Sequence, residues 1–248
     1  MARSKPQCRI GTSGFSYQHW RDVFYPPEVP QRRWLEHYAA HFDTVELNST
    51  FYHLPRADTF DSWRERAGEG FCFALKISRF ITHRKYLVDC REPLALFLGR
   101  AERLEDRLGP LLIQLPPALQ KDVKRLDGFL RLCPRRRRWA VEFRNPTWLC
   151  PEVFEVLREH GAALCIHDLV ADHPEEVTAG FVYRRFHGSG KRYGGSYSAR
   201  TLAASARQIR GWLQGGLDVF AYFNNDQKAY AVSNARDLKH YVLKSPKS

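Results

Sequence analysis

The hydrophobic period of this chain switches back and forth between two and about 3.6 residues from end to end. Eight short stretches carry the strand period: CRIGTSG (8–14), TVELNST (44–50), FCFALKIS (71–78), LLIQLP (111–116), WAVEFR (139–144), ALCIHD (163–168), FVYRRFHG (181–188) and DVFAYFNND (218–226). Between most of them lie helical patterns, among them PRADTFDSWRERAG (55–68), PLALFLGRAERLEDRLG (93–109), CPEVFEVLREHG (150–161) and SARTLAASARQIRGWLQGG (198–216). Gly68, Gly109 and Gly161 stand where left-handed helix caps are expected. Eight strands alternating with helices predict the α/β class and a single (β/α)8 TIM-type barrel of parallel strands, with 1–248 as one domain. The link between the sixth and seventh strands is short and polar, so one helix there is expected to be abbreviated.

Composition narrows the class further. At 248 residues the chain can bury a full core without covalent staples. Its six cysteines are scattered with no C-x-x-C pair, which argues against a zinc finger or a disulfide framework. No apolar run reaches the roughly 18 residues of a membrane span, and the start has no signal-peptide pattern. A soluble cytoplasmic protein that avoids membranes is therefore expected. A net charge of +12 favours an anionic partner, either nucleic acid or a phosphorylated small molecule. The densest basic run, Pro134–Arg138, precedes a strand and is expected as a solvated loop on the far face of the barrel.

In such a barrel the chemistry lies at the carboxyl ends of the strands. Polar residues collect there: Thr12 and Ser13, Glu46 and Asn48, Lys76, Gln114, Glu142 and Arg144, Asp168, Arg185 and His187, then Asn224 and Asn225. The strand period places Glu142 with Arg144 on one face, and likewise Tyr183, Arg185 and His187. Inward charges must be neutralised, so a network of ion pairs is expected.

The segments GTSGFSYQHWRDVFYP, VELNSTFYHLP, ALKISRFITH, LLIQLPP, VEFRNPTW, YRRFHG and AYFNND resemble, in order, the motifs of the YecE-like family, also called domain of unknown function 72. The resemblance implies a TIM barrel and supplies no reaction. Its motif positions fall on Glu46, Asn48, Lys76, Gln114, Glu142, Arg144, Arg185, His187 and Asn224.

Glu142 and Glu46 are candidates for an acid/base pair, with the alternative that each only balances a neighbouring cation. Lys76 suits anion binding or, if desolvated, a base or Schiff-base role. His187 suits proton donation. Asn48, Gln114, Arg144, Arg185, Asn224 and Tyr222 are the expected substrate contacts. The glycine-rich loop HGSGKRYGGSY adds Lys191 and Arg192 as a phosphate cradle, against the alternative of an ordinary surface loop. Aromatics (Phe15, Tyr17, Trp20, Phe51, Tyr52, Trp148, Tyr193, Tyr222) are expected around the mouth. No cofactor is required by the sequence, although Glu142, Asp168 and His187 form a ligand mixture that zinc or manganese would accept.

Three functional readings stay open. The leading one is an enzyme, of phosphodiesterase or nuclease type, that hydrolyses a phosphate-bearing substrate such as nucleic acid with acid/base assistance. The others are a carbohydrate-active enzyme on a neutral sugar and a non-catalytic nucleic-acid or nucleotide-binding protein.

Overall fold

The computed structural model describes residues 5–190 and 193–244. Its eight strands are β1 (Cys8–Ser13), β2 (Thr44–Leu47), β3 (Cys72–Lys76), β4 (Leu108–Gln114), β5 (Trp139–Glu142), β6 (Ala163–His167), β7 (Phe181–Phe186) and β8 (Asp218–Phe223). Every neighbouring pair is parallel, and β1 pairs with both β2 and β8 to close the barrel. The helices are α1 (Trp34–Ala39), α2 (Ser49–Tyr52), α3 (Ala57–Ala67), α4 (Arg91–Ala101), α5 (Val123–Leu130), α6 (Pro151–His160), α7 (Ala199–Gln214) and α8 (Tyr230–Leu243). No helix lies between β6 and β7, as the short polar link predicts. Among the described residues no helix is long and apolar enough to cross a membrane.

Local chemistry sets the helix ends. Pro151 occupies the first turn of α6, and Gly161 closes it with φ 64°. Asp122 and Ser198 cap α5 and α7 by accepting from the backbone N–H of Arg125 and Thr201. Gly68 follows α3 with φ 80°. Gly109 departs from expectation: the helical stretch ends earlier, at Ala101, and passes through a 3-10 turn, Glu102–Arg107, into β4. Gly109 is a strand residue whose added Cβ would run into Cys72 Sγ on β3, so close strand approach explains the glycine.

Two apolar layers hold the fold. Inside the barrel Ala74, Leu112, Ala140, Cys165, Tyr183 and Phe220 fill the lower interior. Outside, strand residues such as Val45, Leu75, Val141 and Ile166 pack with the helices in a single larger core. The period of two separates these sets, and the same parity sends the next residue up each strand toward the centre of the mouth. The basic run before β5 lies at the opposite end. There Arg136 and Arg137 pair with Glu102, and Arg138 pairs with Asp218.

Candidate functional site

The interior parity delivers Ser13, Glu46, Lys76, Gln114, Glu142, His167 and Arg185 to one polar layer at the carboxyl ends of the strands. All seven are buried. Arg185 is the keystone. It is 1% exposed, and its guanidinium spans the barrel from β7, reaching Glu46 Oε1 at 2.7 Å and Glu142 Oε2 at 2.5 Å. The second oxygen of Glu142 accepts from Arg144 Nε. Glu46 also accepts from Ser13 Oγ and, at 2.6 Å, from the Tyr183 hydroxyl. Burial alone would push the Glu142 carboxyl upward, but Arg185 and Arg144 outweigh it and hold the group well below the usual carboxylate range.

This geometry changes the role expected of the carboxylates. A general base needs a free lone pair and a pKa near the working pH. Both oxygens of Glu142 are held by guanidinium groups and its carboxyl stays well below the usual range, which makes it a weak base near neutrality. The oxygens of Glu46 are likewise occupied. These contacts favour charge balancing for both residues.

Two arginines against two glutamates cancel, and Lys76 is left over. Its side chain is buried at the end of β3, with Nζ 3.9 Å from the centroid of the Phe51 ring. Desolvation, reinforced by Arg185, lowers its pKa to about 7, against the smaller opposing pull of Glu142 and Glu46. Contact with the ring face favours the ammonium but is worth only about 0.5–2 kcal/mol. Lys76 is thus an amine that changes charge near neutral pH.

His187 lies just beyond β7 and is fully buried. Asn224 Nδ2 donates to its Nδ1 at 3.1 Å, which leaves Nε2 facing Glu142 Oε1 at 3.7 Å. Burial and then Arg185 push its pKa well below 6.5. These surroundings favour the neutral ring over the imidazolium that proton donation needs. Asp168 accepts from the His187 backbone N–H at 2.9 Å and from the Tyr197 hydroxyl, so its oxygens turn away from Glu142. The proposed metal-binding trio is not brought together, and among the described residues no group of three or more His, Cys, Asp and Glu is placed to hold a metal ion.

The remaining predicted positions separate by depth. Asn48 donates to Ser13 Oγ at 2.7 Å and keeps a buried Oδ1 without a hydrogen-bond partner among the described residues. Gln114 donates to Leu115 O at 2.7 Å. Arg144 donates from Nη1 to the Tyr193 hydroxyl at 3.3 Å, where the loop after β7 comes back over the mouth, and its Nη2 lies 3.5 Å from His187 Nε2. Lys191 and Arg192 in that loop lie outside the described residues. Tyr222 sits a layer below the site, fully buried, with its hydroxyl on Thr44. Thr12 faces outward to Tyr38. Trp20 and Trp148 are fully buried and anchor loops. Trp148 stacks on Phe143 at 5.0 Å and donates to Leu119 O.

Sequence reasoning gave no role to Ser13, Tyr183 or His167, although each shares the inward parity of a predicted residue on its strand or a neighbouring one. It also missed a cavity of about 380 Å³ on the flank, between the ends of β6 and β7 and helix α7, where the helix is absent.

Comparison with known proteins agrees with this architecture. The family described as "Protein of unknown function DUF72" matches residues 9–248. The UPF0759 protein YecE of Escherichia coli K12 is 35% identical over 113 residues, a segment covering 45% of this chain and only 42% of YecE. The UPF0759 protein YunF of Bacillus subtilis 168 is 28% identical over 92% of both chains. The crystal structure of a DUF72 family protein from Thermotoga maritima superimposes with a TM-score of 0.85 at 28% identity, covering 96% of this chain and all of that one. One from Enterococcus faecalis V583 gives 0.82 at 22% identity, over 97% of each chain, and shares the fold. On the strength of the profile match across nearly its whole length, the chain belongs to the DUF72 family.

Proposed function

We propose that the protein is an enzyme that binds a phosphate-bearing substrate at the barrel mouth and works on it by acid/base chemistry, with Lys76 as the titrating group. One observation carries this reading: once Arg185 and Arg144 have balanced Glu46 and Glu142, Lys76 remains, among the described residues, a buried amine without an ion pair. A buried lysine of this kind costs stability, and such costs gather at functional sites. A phosphate oxygen at the mouth would take over Arg144 Nη1 from the Tyr193 hydroxyl, which holds it at 3.3 Å. The buried Oδ1 of Asn48 suits a substrate hydroxyl. In hydrolysis Lys76 is the better base for water, since its pKa of about 7 matches neutral conditions.

The rim supports a second reading, in which the phosphate belongs to a nucleic-acid end. Tyr52, Phe80 and Tyr86 stand exposed on the segments after β2 and β3, beside exposed Arg79 and Arg84. Aromatic faces among cations suit unpaired bases.

The test is phosphorus NMR of the protein incubated with nucleoside monophosphates, sugar phosphates and single-stranded oligonucleotides. The expected result is turnover of at least one class, lost in Lys76→Met and kept in Arg136→Gln at the far end of the barrel. No change in any spectrum, or equal turnover by Lys76→Met, contradicts the proposal.

A further inference from the structure

We infer that Lys76 is a carbonyl-binding amine, whose Nζ forms an imine with an aldehyde or ketone carried by a small phosphorylated substrate. The inference rests on the reading that phosphate is held at the mouth, and it adds what the rest of the substrate must be.

The arrangement around Nζ is the reason. A structural lysine in this layer would pair with Glu46 or Glu142, but Arg185 reaches both from across the barrel. Among the described residues Nζ has the Phe51 ring face as its close partner and makes no ion pair. The backbone that carries the amine is also held in place. Lys76 O accepts from Thr50 Oγ1 at 2.7 Å, and the next residue, Ile77, donates to Leu112 O on β4 at 2.9 Å. A nucleophile fixed at a strand end, with a guanidinium nearby to hold an anion, has the geometry that imine formation needs. Its proton affinity agrees: with a pKa of about 7, half of Lys76 is neutral at pH 7. An unperturbed lysine has a neutral fraction about three orders of magnitude smaller. Small size follows from burial, because Lys76 and Gln114 are under one-tenth exposed and Glu142 and His187 are fully covered.

The step balances without any further reactant. The lone pair of neutral Nζ adds to the carbonyl carbon. The carbonyl π pair moves to oxygen, which takes the proton that leaves nitrogen. The carbinolamine hydroxyl then leaves as water with the remaining N–H proton, and the nitrogen lone pair closes the carbon–nitrogen double bond. A phosphate on the same molecule, held by Arg144, would keep the carbonyl within reach of Nζ.

The experiment traps that bond. Wild-type protein at neutral pH is treated with glyceraldehyde 3-phosphate and cyanoborohydride, then digested and mapped by mass spectrometry. Hydride delivered to the imine carbon gives a stable secondary amine, heavier by the mass of the probe less one oxygen. The expected adduct lies on Lys76, at least about tenfold above any other lysine given its larger neutral fraction. Inorganic phosphate should suppress it, and unphosphorylated glyceraldehyde should give several-fold less. Lys76→Arg should lose the adduct while still binding phosphate. Labelling spread evenly over the lysines, or undiminished by phosphate, overturns the inference. Binding of inorganic phosphate is measured calorimetrically on the same sample. Binding without an adduct refutes the imine alone, whereas the absence of both removes the phosphate site as well.

Discussion

Replacing Lys76 with methionine is expected to stabilise the fold, and by an amount that depends on pH. In the native state the amine titrates at about 7 instead of its ordinary 10.5. Each pKa unit is worth about 1.36 kcal/mol, so keeping this lysine inside the barrel costs about 4 kcal/mol at pH 7. The Phe51 contact returns about 1 kcal/mol. Methionine fills a similar volume without a charge, so Lys76→Met should gain about 3 kcal/mol near neutrality. Between about pH 7 and 10.5 the unfolded chain binds more protons at this position than the folded one, and wild-type stability therefore climbs as pH rises through that window. The variant lacks this rise, so the gap should close toward about pH 10. Urea unfolding of both proteins across this range, at fixed salt, measures the difference directly. A variant less stable than wild type at neutral pH, or a gap that does not change with pH, would refute the argument that desolvation governs Lys76.

Two other substitutions probe the scaffold. Arg185→Met leaves Glu46 and Glu142 buried without their shared cation and should cost about 3–5 kcal/mol in urea unfolding. Adding Glu46→Gln and Glu142→Gln should recover most of that loss, and no recovery would show that Arg185 acts mainly by packing. Gly11→Ala should destabilise by more than about 2 kcal/mol, because its Cβ would run into the carbonyl oxygen of Thr44. Gly99→Ala, in α4 with open space around its Cβ, should instead raise stability by up to about 1 kcal/mol.

The barrel was legible because each strand repeats the same signals: a short period-two stretch, an inward polar residue near its end, then a turn. The absent helix between β6 and β7 was legible for the complementary reason, since no 3.6-residue period occurs there. Gly109 was misread because a glycine after a helical stretch looks the same whether it caps the helix or makes room for Cys72. The polar layer was also legible from parity, which placed Glu46, Lys76, Glu142 and Arg185 toward one centre. What parity does not encode is reach. Arg185 spans from β7 to glutamates on β2 and β5, a pairing that the direction of each side chain does not reveal. Tyr222 fell one layer too deep for the same reason: parity fixes the direction of a side chain, while the register of β8 against β1 fixes its height.

An anion is expected to bind beside Lys76 and Arg144. Calorimetric titration of inorganic phosphate into wild type, Arg144→Gln and Arg136→Gln tests it most directly. Phosphate should bind to wild type with a salt-sensitive affinity. Arg144→Gln should weaken it by about tenfold or more, as expected for loss of a charge-assisted contact, and Arg136→Gln should leave it unchanged. Equal weakening by both variants, or no heat of binding to wild type at low salt, would contradict the account.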